Sequence, residues 1–110
     1  MSIETIEKNI NRVTDDKYLS IIELIVNAVR EYPLFGLNDT EKFFKEVKRI
    51  INKEEITLDF LKSYVDNSDK KNKDNIWVTS SLGSLIEPFN LMNLYNISFQ
   101  EVLDKIKELN

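Results

Sequence analysis

Residues 17–32, KYLSIIELIVNAVREY, decide the fold of this chain. On a helix, their apolar side chains cover well over half of the circumference and leave only a narrow polar strip: Ser20, Glu23, Asn27, Arg30 and Glu31. A helix that is this apolar has to be covered on several sides. The stretch therefore predicts a central helix, with burial of part of its surface against a second subunit as the alternative. Pro33 ends the helix, because the residue before a proline disfavours helical backbone angles.

Apolar residues recur at helical spacing on both sides of this stretch, which predicts further amphipathic helices. The recurring positions are Ile3, Ile6, Ile10, Val13; Phe43, Phe44, Val47, Ile50, Ile51; Leu58, Leu61, Tyr64, Val65; Leu82, Leu85, Ile86, Phe89, Met92; and Phe99, Val102, Leu103, Ile106, Leu109. Pro88 lies inside the pattern that begins at Ser81, so we expect a kink or two short helices there. These patterns predict an all-α fold, a compact bundle of five to six helices around the central apolar helix at about 17–32, in one domain spanning 1–110.

Side chains that can cap a helix N-terminus precede most of these patterns. They are Ser2, the segment Thr14-Asp15-Asp16, Asn38 or Asp39, Thr57 and Ser98. Glu41 follows Asn38, and Glu101 follows Ser98, at the spacing of a capping box. In the string Thr79–Ser84, Ser80 or Ser81 as an ordinary N-cap is favoured over an anion-binding site, since no P-loop lysine is present.

Residues 66–75, DNSDKKNKDN, contain no apolar side chain. Such a segment predicts a solvated, flexible loop. The Ile76-Trp77-Val78 segment that follows is too short to assign to a helix or a strand. Trp77, the only tryptophan in the chain, lies between the aliphatic residues Ile76 and Val78, and we therefore expect it to pack in the core.

The composition argues against most catalytic chemistry. The chain has no histidine and no cysteine, is 42% hydrophobic and 31% charged, and carries a net charge of −4. It therefore lacks the side chain that titrates near neutral pH and the thiolate nucleophile. We expect no enzymatic activity and no cofactor. Neither a secretory signal nor a stretch long enough to span a membrane is present, so we expect a cytoplasmic protein without membrane contact. Abundant lysine, asparagine and isoleucine suggest an AT-rich bacterial or phage genome.

Without histidine or cysteine, a metal site would need oxygen ligands for a hard cation. Asp66 and Ser68 match the first and third positions of an EF-hand-like loop. Lys70 then replaces a ligand, Lys71 replaces the required glycine, and Trp77 replaces the terminal glutamate. We therefore predict no metal site.

One helical arc is cationic, which allows a nucleic-acid hypothesis. Its members are Lys42, Lys45, Lys48, Arg49 and Lys53. They lie opposite the apolar arc of the third predicted helix, where charged residues occur on any surface helix. The following segment lacks the arginine, glutamine and asparagine side chains that read base edges. A solvated face is the favoured interpretation, and nucleic-acid binding is the alternative.

A mildly acidic protein without reactive groups is suited to meeting a basic partner. We therefore predict a small protein-interaction module, an immunity-type or antitoxin-like inhibitor that binds and neutralises a basic partner protein such as a nuclease toxin. The predicted partner-binding residues are Glu54, Glu55, Asp66, Asp69, Asp74 and Trp77. The alternatives are a nucleic-acid-binding accessory protein using the cationic arc, or a structural homodimer that buries part of the central helix or the apolar loop 34–37.

Overall fold

The structure, a computed structural model, describes residues 1–71 and 76–110, with the backbone alone for 69–71, and is built from α-helices. Within those residues the helices are α1 (Ile3–Asn9), α2 (Asp16–Glu31), α3 (Thr40–Ile51), α4 (Leu58–Lys71), α5 (Ile76–Ser84), α6 (Ile86–Tyr95) and α7 (Phe99–Lys107). Short 3-10 turns occupy Ile10–Arg12 and Leu34–Gly36. The all-α class predicted from the sequence is confirmed.

Helix α2 lies at the centre of the bundle, as its sequence predicts. It packs against α1, α5, α6 and α7. Ile21, Ile22 and Ile25 are fully buried, and Val29 is nearly so. They belong to one continuous hydrophobic cluster to which every helix contributes. Contacts within the chain therefore bury most of the apolar surface of α2, while Leu19 and Leu24 stay half-buried.

The N-caps predicted at Ser2, Thr57 and Ser98 are present, and Asp15 is the cap within the segment Thr14-Asp15-Asp16. Helix α3 is capped by Asp39, whose carboxylate accepts a hydrogen bond from the Lys42 amide at 3.2 Å, so the capping box expected from Asn38 is wrong. In α7 the Glu101 carboxylate accepts a hydrogen bond from the Tyr18 hydroxyl at 3.1 Å, and Glu101 therefore joins α7 to α2.

The helical conformation is interrupted at Leu85, between α5 and α6, as the position of Pro88 predicts. Pro88 is the third residue of α6, within the first turn, where backbone amides have no partner inside the helix. The missing N–H therefore costs little at this position. Counted as one broken helix, α5 and α6 make six helices in the described residues, and counted separately they make seven.

The loop predicted for 66–75 is wrong over residues 66–71, which continue α4. Tertiary packing explains the difference, because α5 packs along α4 at this point. The Thr79 and Ser68 hydroxyls lie 2.9 Å apart, and the Ser68 hydroxyl also donates to the Val65 carbonyl at 3.1 Å. Residues 72–75 lie outside the described part of the chain.

Candidate functional site

Among the predicted acidic residues that the structure describes, Glu54 and Glu55 lie apart from Asp66. Glu54 and Glu55 are exposed in the segment before α4. Asp66 lies eight residues beyond Leu58, where α4 begins, which is about 12 Å along the helix axis. Asp74 and the side chain of Asp69 lie outside the described residues. The predicted acidic surface is therefore divided along the length of α4.

Helix geometry also separates Asp66 from Trp77. The faces on which α4 and α5 meet are marked by the hydroxyls of Ser68 and Thr79. Asp66 lies two residues before Ser68, and Trp77 lies two residues before Thr79. On each helix this spacing rotates the side chain by about 200° from the hydroxyl on the contact face. Asp66 consequently faces away from α5, and Trp77 faces away from α4.

Core packing, expected for Trp77, is wrong: 68% of the residue is exposed. Its ring lies on that of Tyr32, at the end of α2, with centroids 6.1 Å apart and an interplanar angle of 52°. Ile76 and Phe35 are each 68% exposed as well. Phe35 belongs to the 3-10 turn after Tyr32, and this turn packs against α5. We call Tyr32, Phe35, Ile76 and Trp77 the apolar patch.

Ser81 of α5 forms a hydrogen bond to the backbone of the patch. The residue is 1% exposed, and its hydroxyl donates a 2.8 Å hydrogen bond to the carbonyl oxygen of Tyr32. This bond satisfies a carbonyl at the C-terminal end of α2, where intrahelical donors run out. The N-cap role expected for Ser80 or Ser81 is wrong, because α5 begins at Ile76 and both residues lie inside it.

Phe35 has a backbone conformation that is rare for its residue type. Its φ is 53° and its ψ 34°, in the left-handed region that an aromatic residue seldom adopts. The next residue, Gly36, also has a positive φ, of 75°. Strain of this kind persists only where the surrounding structure imposes it, and it concentrates at functional positions. The strained turn presents the phenyl ring to solvent.

The predicted cationic arc is divided as well. The Arg49 guanidinium lies 2.6 Å from Glu46 Oε1, and this hydrogen bond lowers the pKa of the Glu46 carboxyl. Lys53 lies past the end of α3 with its ammonium 4.9 Å from the centre of the Phe60 ring. Lys45 and Lys48 instead line a cavity between α3 and α7. Lys42 is exposed and lines neither this cavity nor the contact with Phe60. Arg49, Lys53 and the pair Lys45 and Lys48 therefore have three different sets of neighbours.

A groove runs between α3 and α7. It consists of two adjoining cavities of about 260 and 300 Å³, which share Lys48, Phe99, Gln100 and Leu103. Lys107 of α7 lines the first cavity beside Lys45, while Glu54 and Glu55 line the second. The α3–α7 groove therefore brings together residues of the predicted acidic partner-binding set and residues of the predicted cationic arc.

The floor of the groove is aromatic. The Phe44 and Phe99 rings meet edge to face, with centroids 4.8 Å apart. Phe43 and Phe89 extend the cluster at 5.5 and 5.0 Å. Edge-to-face and tilted pairs at these separations are favourable beyond their buried area. The cluster fixes the position of Phe99, which stays half-buried and faces both cavities.

Sequence reasoning missed the apolar patch as a unit and the groove altogether. The patch depends on the packing of the 34–36 turn against α5. Trp77 and the apolar loop 34–37 were each predicted to contact a partner, but no local pattern indicates that they lie together. The groove depends on how α3 and α7 are paired, which no local pattern encodes.

Among residues 1–71 and 76–110, no group of three or more acidic side chains is arranged to hold a metal ion. Over the same residues, no helix is both long enough and apolar enough to cross a bilayer. Comparisons of this chain with protein-family models, with curated proteins and with solved structures find no match.

Proposed function

We propose that this chain is a protein-interaction module that binds a basic partner protein through the apolar patch and neutralises it, as a bacterial or phage inhibitor of the immunity or antitoxin type does. The observation that carries the proposal is the exposure of Trp77, 68%, on the ring of Tyr32. The proposal assigns no catalytic step to the chain and has it act in the cytoplasm beside its partner.

The patch has the composition of an interface centre. Tryptophan and tyrosine are the residues most enriched at positions that dominate binding energy. Large apolar side chains lose unfavourable contact with water when a partner covers them, at roughly 25 cal/mol per Å². The Ser81 bond holds the backbone of Tyr32, and the Trp77 ring lies against the Tyr32 ring. The contact between the two rings leaves less side-chain freedom to be lost on binding.

The charge of the chain favours a basic partner. Its net charge of −4 attracts a cationic protein during the diffusive encounter. Glu54, Glu55 and Asp66 lie on other surfaces than the patch, so in this proposal they steer the approach rather than form the central contact. Steering of this kind raises the association rate and weakens as salt is added.

The test is capture of the partner from the native cell by the tagged protein, by its Trp77→Ser variant and by a Leu94→Ser control. Leu94 is 71% exposed and lies near the end of α6, so the control removes an equally exposed apolar side chain outside the patch. The captured protein is then purified, its affinity is measured by calorimetry, and its own activity is assayed with and without this chain.

We expect Trp77→Ser to weaken the affinity by about 2 kcal/mol, as at an interface hot spot, and Leu94→Ser to leave it unchanged. We expect the unmodified chain to suppress the partner's activity. Equal affinities for the two variants would contradict the role of the patch. Tight, salt-dependent binding to duplex DNA or single-stranded RNA in place of a protein would favour the nucleic-acid alternative. A dimer in light scattering that Trp77→Ser dissociates would favour the homodimer.

A further inference from the structure

We propose that the α3–α7 groove is a second docking site, whose occupant is an amphipathic helix from another protein that carries acidic residues towards one end and basic residues towards the other. The groove shares no residue with the apolar patch, and this inference goes beyond the proposed function. Three features of the groove identify the occupant: its length, its floor and the separation of its charges.

The length of the groove fits a short helix. Its walls are α3, whose lining residues run about 12 Å from Thr40 to Lys48, and α7, whose lining residues run about 12 Å from Phe99 to Lys107. The two cavities adjoin and share Phe99 and Leu103. A groove between two helices accepts the apolar face of a third, with anchors spaced at i, i+3, i+4 and i+7. A helix of roughly 11 residues, or about three turns, spans this length and extends slightly beyond it.

The floor offers apolar anchor points at fixed positions. Phe44 and Phe99 are held edge to face at 4.8 Å, and Phe89 lies behind Phe99 at 5.0 Å. Phe44 is buried, whereas Phe99 and Leu103 are half-buried and line both cavities. An apolar face laid over Phe99 and Leu103 would complete their burial without rearranging the aromatic cluster.

The charges of the rim are segregated. Lys45 and Lys107 line the first cavity alone, with Glu41 as the one acidic residue there, and Lys48 lies where the two cavities meet and lines both. Glu54 and Glu55 line the second. Within the described part of the chain, none of these six side chains forms a salt bridge. An occupant with a single sign of charge meets repulsion at one end, whereas an occupant with an acidic end and a basic end meets attraction at both.

The test uses two synthetic peptides of about 11 residues, each locked as a helix by a side-chain lactam, labelled with fluorescein and carrying the same apolar stripe. The first peptide has its glutamates at one end and its lysines at the other, and the second has the same residues with the charges alternating. Fluorescence anisotropy measures the binding of each peptide to the full chain.

Two double variants with the same net charge are compared, one that alters the groove and one that does not. Lys45→Glu combined with Lys107→Glu reverses two lysines of the rim. Lys42→Glu combined with Lys62→Glu reverses two exposed lysines that line neither cavity. Circular dichroism establishes that both double variants remain helical.

We expect the segregated peptide to bind at least about tenfold more tightly than the alternating one, and the groove variant but not the control variant to abolish that preference. Equal affinities for the two peptides, an equal effect of both double variants, or no binding at about 1 mM protein would overturn the proposal. Dimerisation of the free protein that the groove variant disrupts would show instead that a second copy fills the groove. Displacement of the peptide by duplex DNA would assign the lysines to nucleic acid.

Discussion

Phe35 combines an exposed aromatic ring with a left-handed backbone, and the two properties can be separated by substitution. A left-handed conformation costs a residue with a side chain roughly 1 kcal/mol, and asparagine tolerates it better than most. We expect Phe35→Asn to be more stable than Phe35→Ala by about that amount, because both remove the ring but only asparagine suits the backbone. Urea unfolding of the two variants measures the difference. If the patch binds the partner, both variants lose affinity to the same extent.

Ser81 forms the polar contact that holds Tyr32 beneath Trp77. Replacing the buried Ser81 by alanine leaves the Tyr32 carbonyl without this donor, which costs about 1 kcal/mol of unfolding free energy. Ser80→Ala is the control, since it makes the same change in the same helix at a half-buried position. We expect Ser80→Ala to be neutral or slightly stabilising, because alanine is the better helix former. Equal thermal stabilities of the two variants would contradict the role of the bond.

Asp39 links the start of α3 to the start of the chain, and its charge gives the fold a dependence on pH. Burial raises the pKa of the Asp39 carboxyl, but hydrogen bonds from the N-terminal ammonium, 3.0 Å away, and from the Lys42 amide outweigh burial, so the pKa is lowered. A lowered folded-state pKa stabilises the native state at pH values above the unfolded pKa of about 3.9, and this stabilisation is lost as the pH falls through the folded value.

Asp39→Asn isolates this charge, because asparagine caps a helix about as well as aspartate. We expect the variant to lose less stability than the unmodified chain as the pH falls from about 5 to below the ordinary aspartate pKa of about 3.9. Denaturant unfolding at several pH values measures the slope. Parallel curves for the two proteins would show that the Asp39 charge contributes nothing to acid sensitivity.

At the scale of the elements, α4 and α5 show where local sequence determines structure and where it does not. The apolar periodicity of α2, α3 and α7 and the capping residue types before each pattern were sufficient to predict those helices, although not always which residue is the cap, because propensity, pattern and capping agree there. The last six residues of α4 and the first turn of α5 have no apolar pattern of their own. Their helical state depends on packing between the two helices, which no single segment encodes.

Gly83 offers a test of that packing. A Cβ atom added at Gly83 would meet Val65 Cγ2 at 3.9 Å, an ordinary van der Waals distance, and the residue lies inside α5. Gly83→Ala should therefore raise the unfolding free energy by about 1 kcal/mol, the difference in helix propensity between the two residues. Gly36→Ala is the contrasting variant, because the positive φ of Gly36 penalises any side chain. A destabilised Gly83→Ala protein would mean that α4 and α5 approach more closely than this distance.

For the whole molecule, the sequence gives the net charge and the absence of histidine and cysteine, but not which charges share a surface. Glu54 and Asp66 appear close in the chain, yet α4 separates them by most of its length. Lys48 and Lys107 are far apart in the chain, yet they line one cavity. Long-range pairing of α3 with α7 produces this neighbourhood. Candidate sites in a small helical protein thus depend on topology more than on local composition.

In the proposed function, the acidic residues outside the apolar patch act on the association rate, and the patch acts on the dissociation rate. Reversing Glu54 and Glu55 to lysine raises the net charge from −4 by four units to zero and leaves the apolar patch intact. We expect a lower association rate with the basic partner and a weaker salt dependence, while the dissociation rate stays nearly constant. Trp77→Ser should do the opposite, because removing a central anchor acts mainly on dissociation. Surface plasmon resonance at two ionic strengths measures both rates. A faster dissociation for the Glu54→Lys, Glu55→Lys variant would mean that these carboxylates touch the partner directly, and the centre of the interface would then lie at the α3–α7 groove rather than at Trp77.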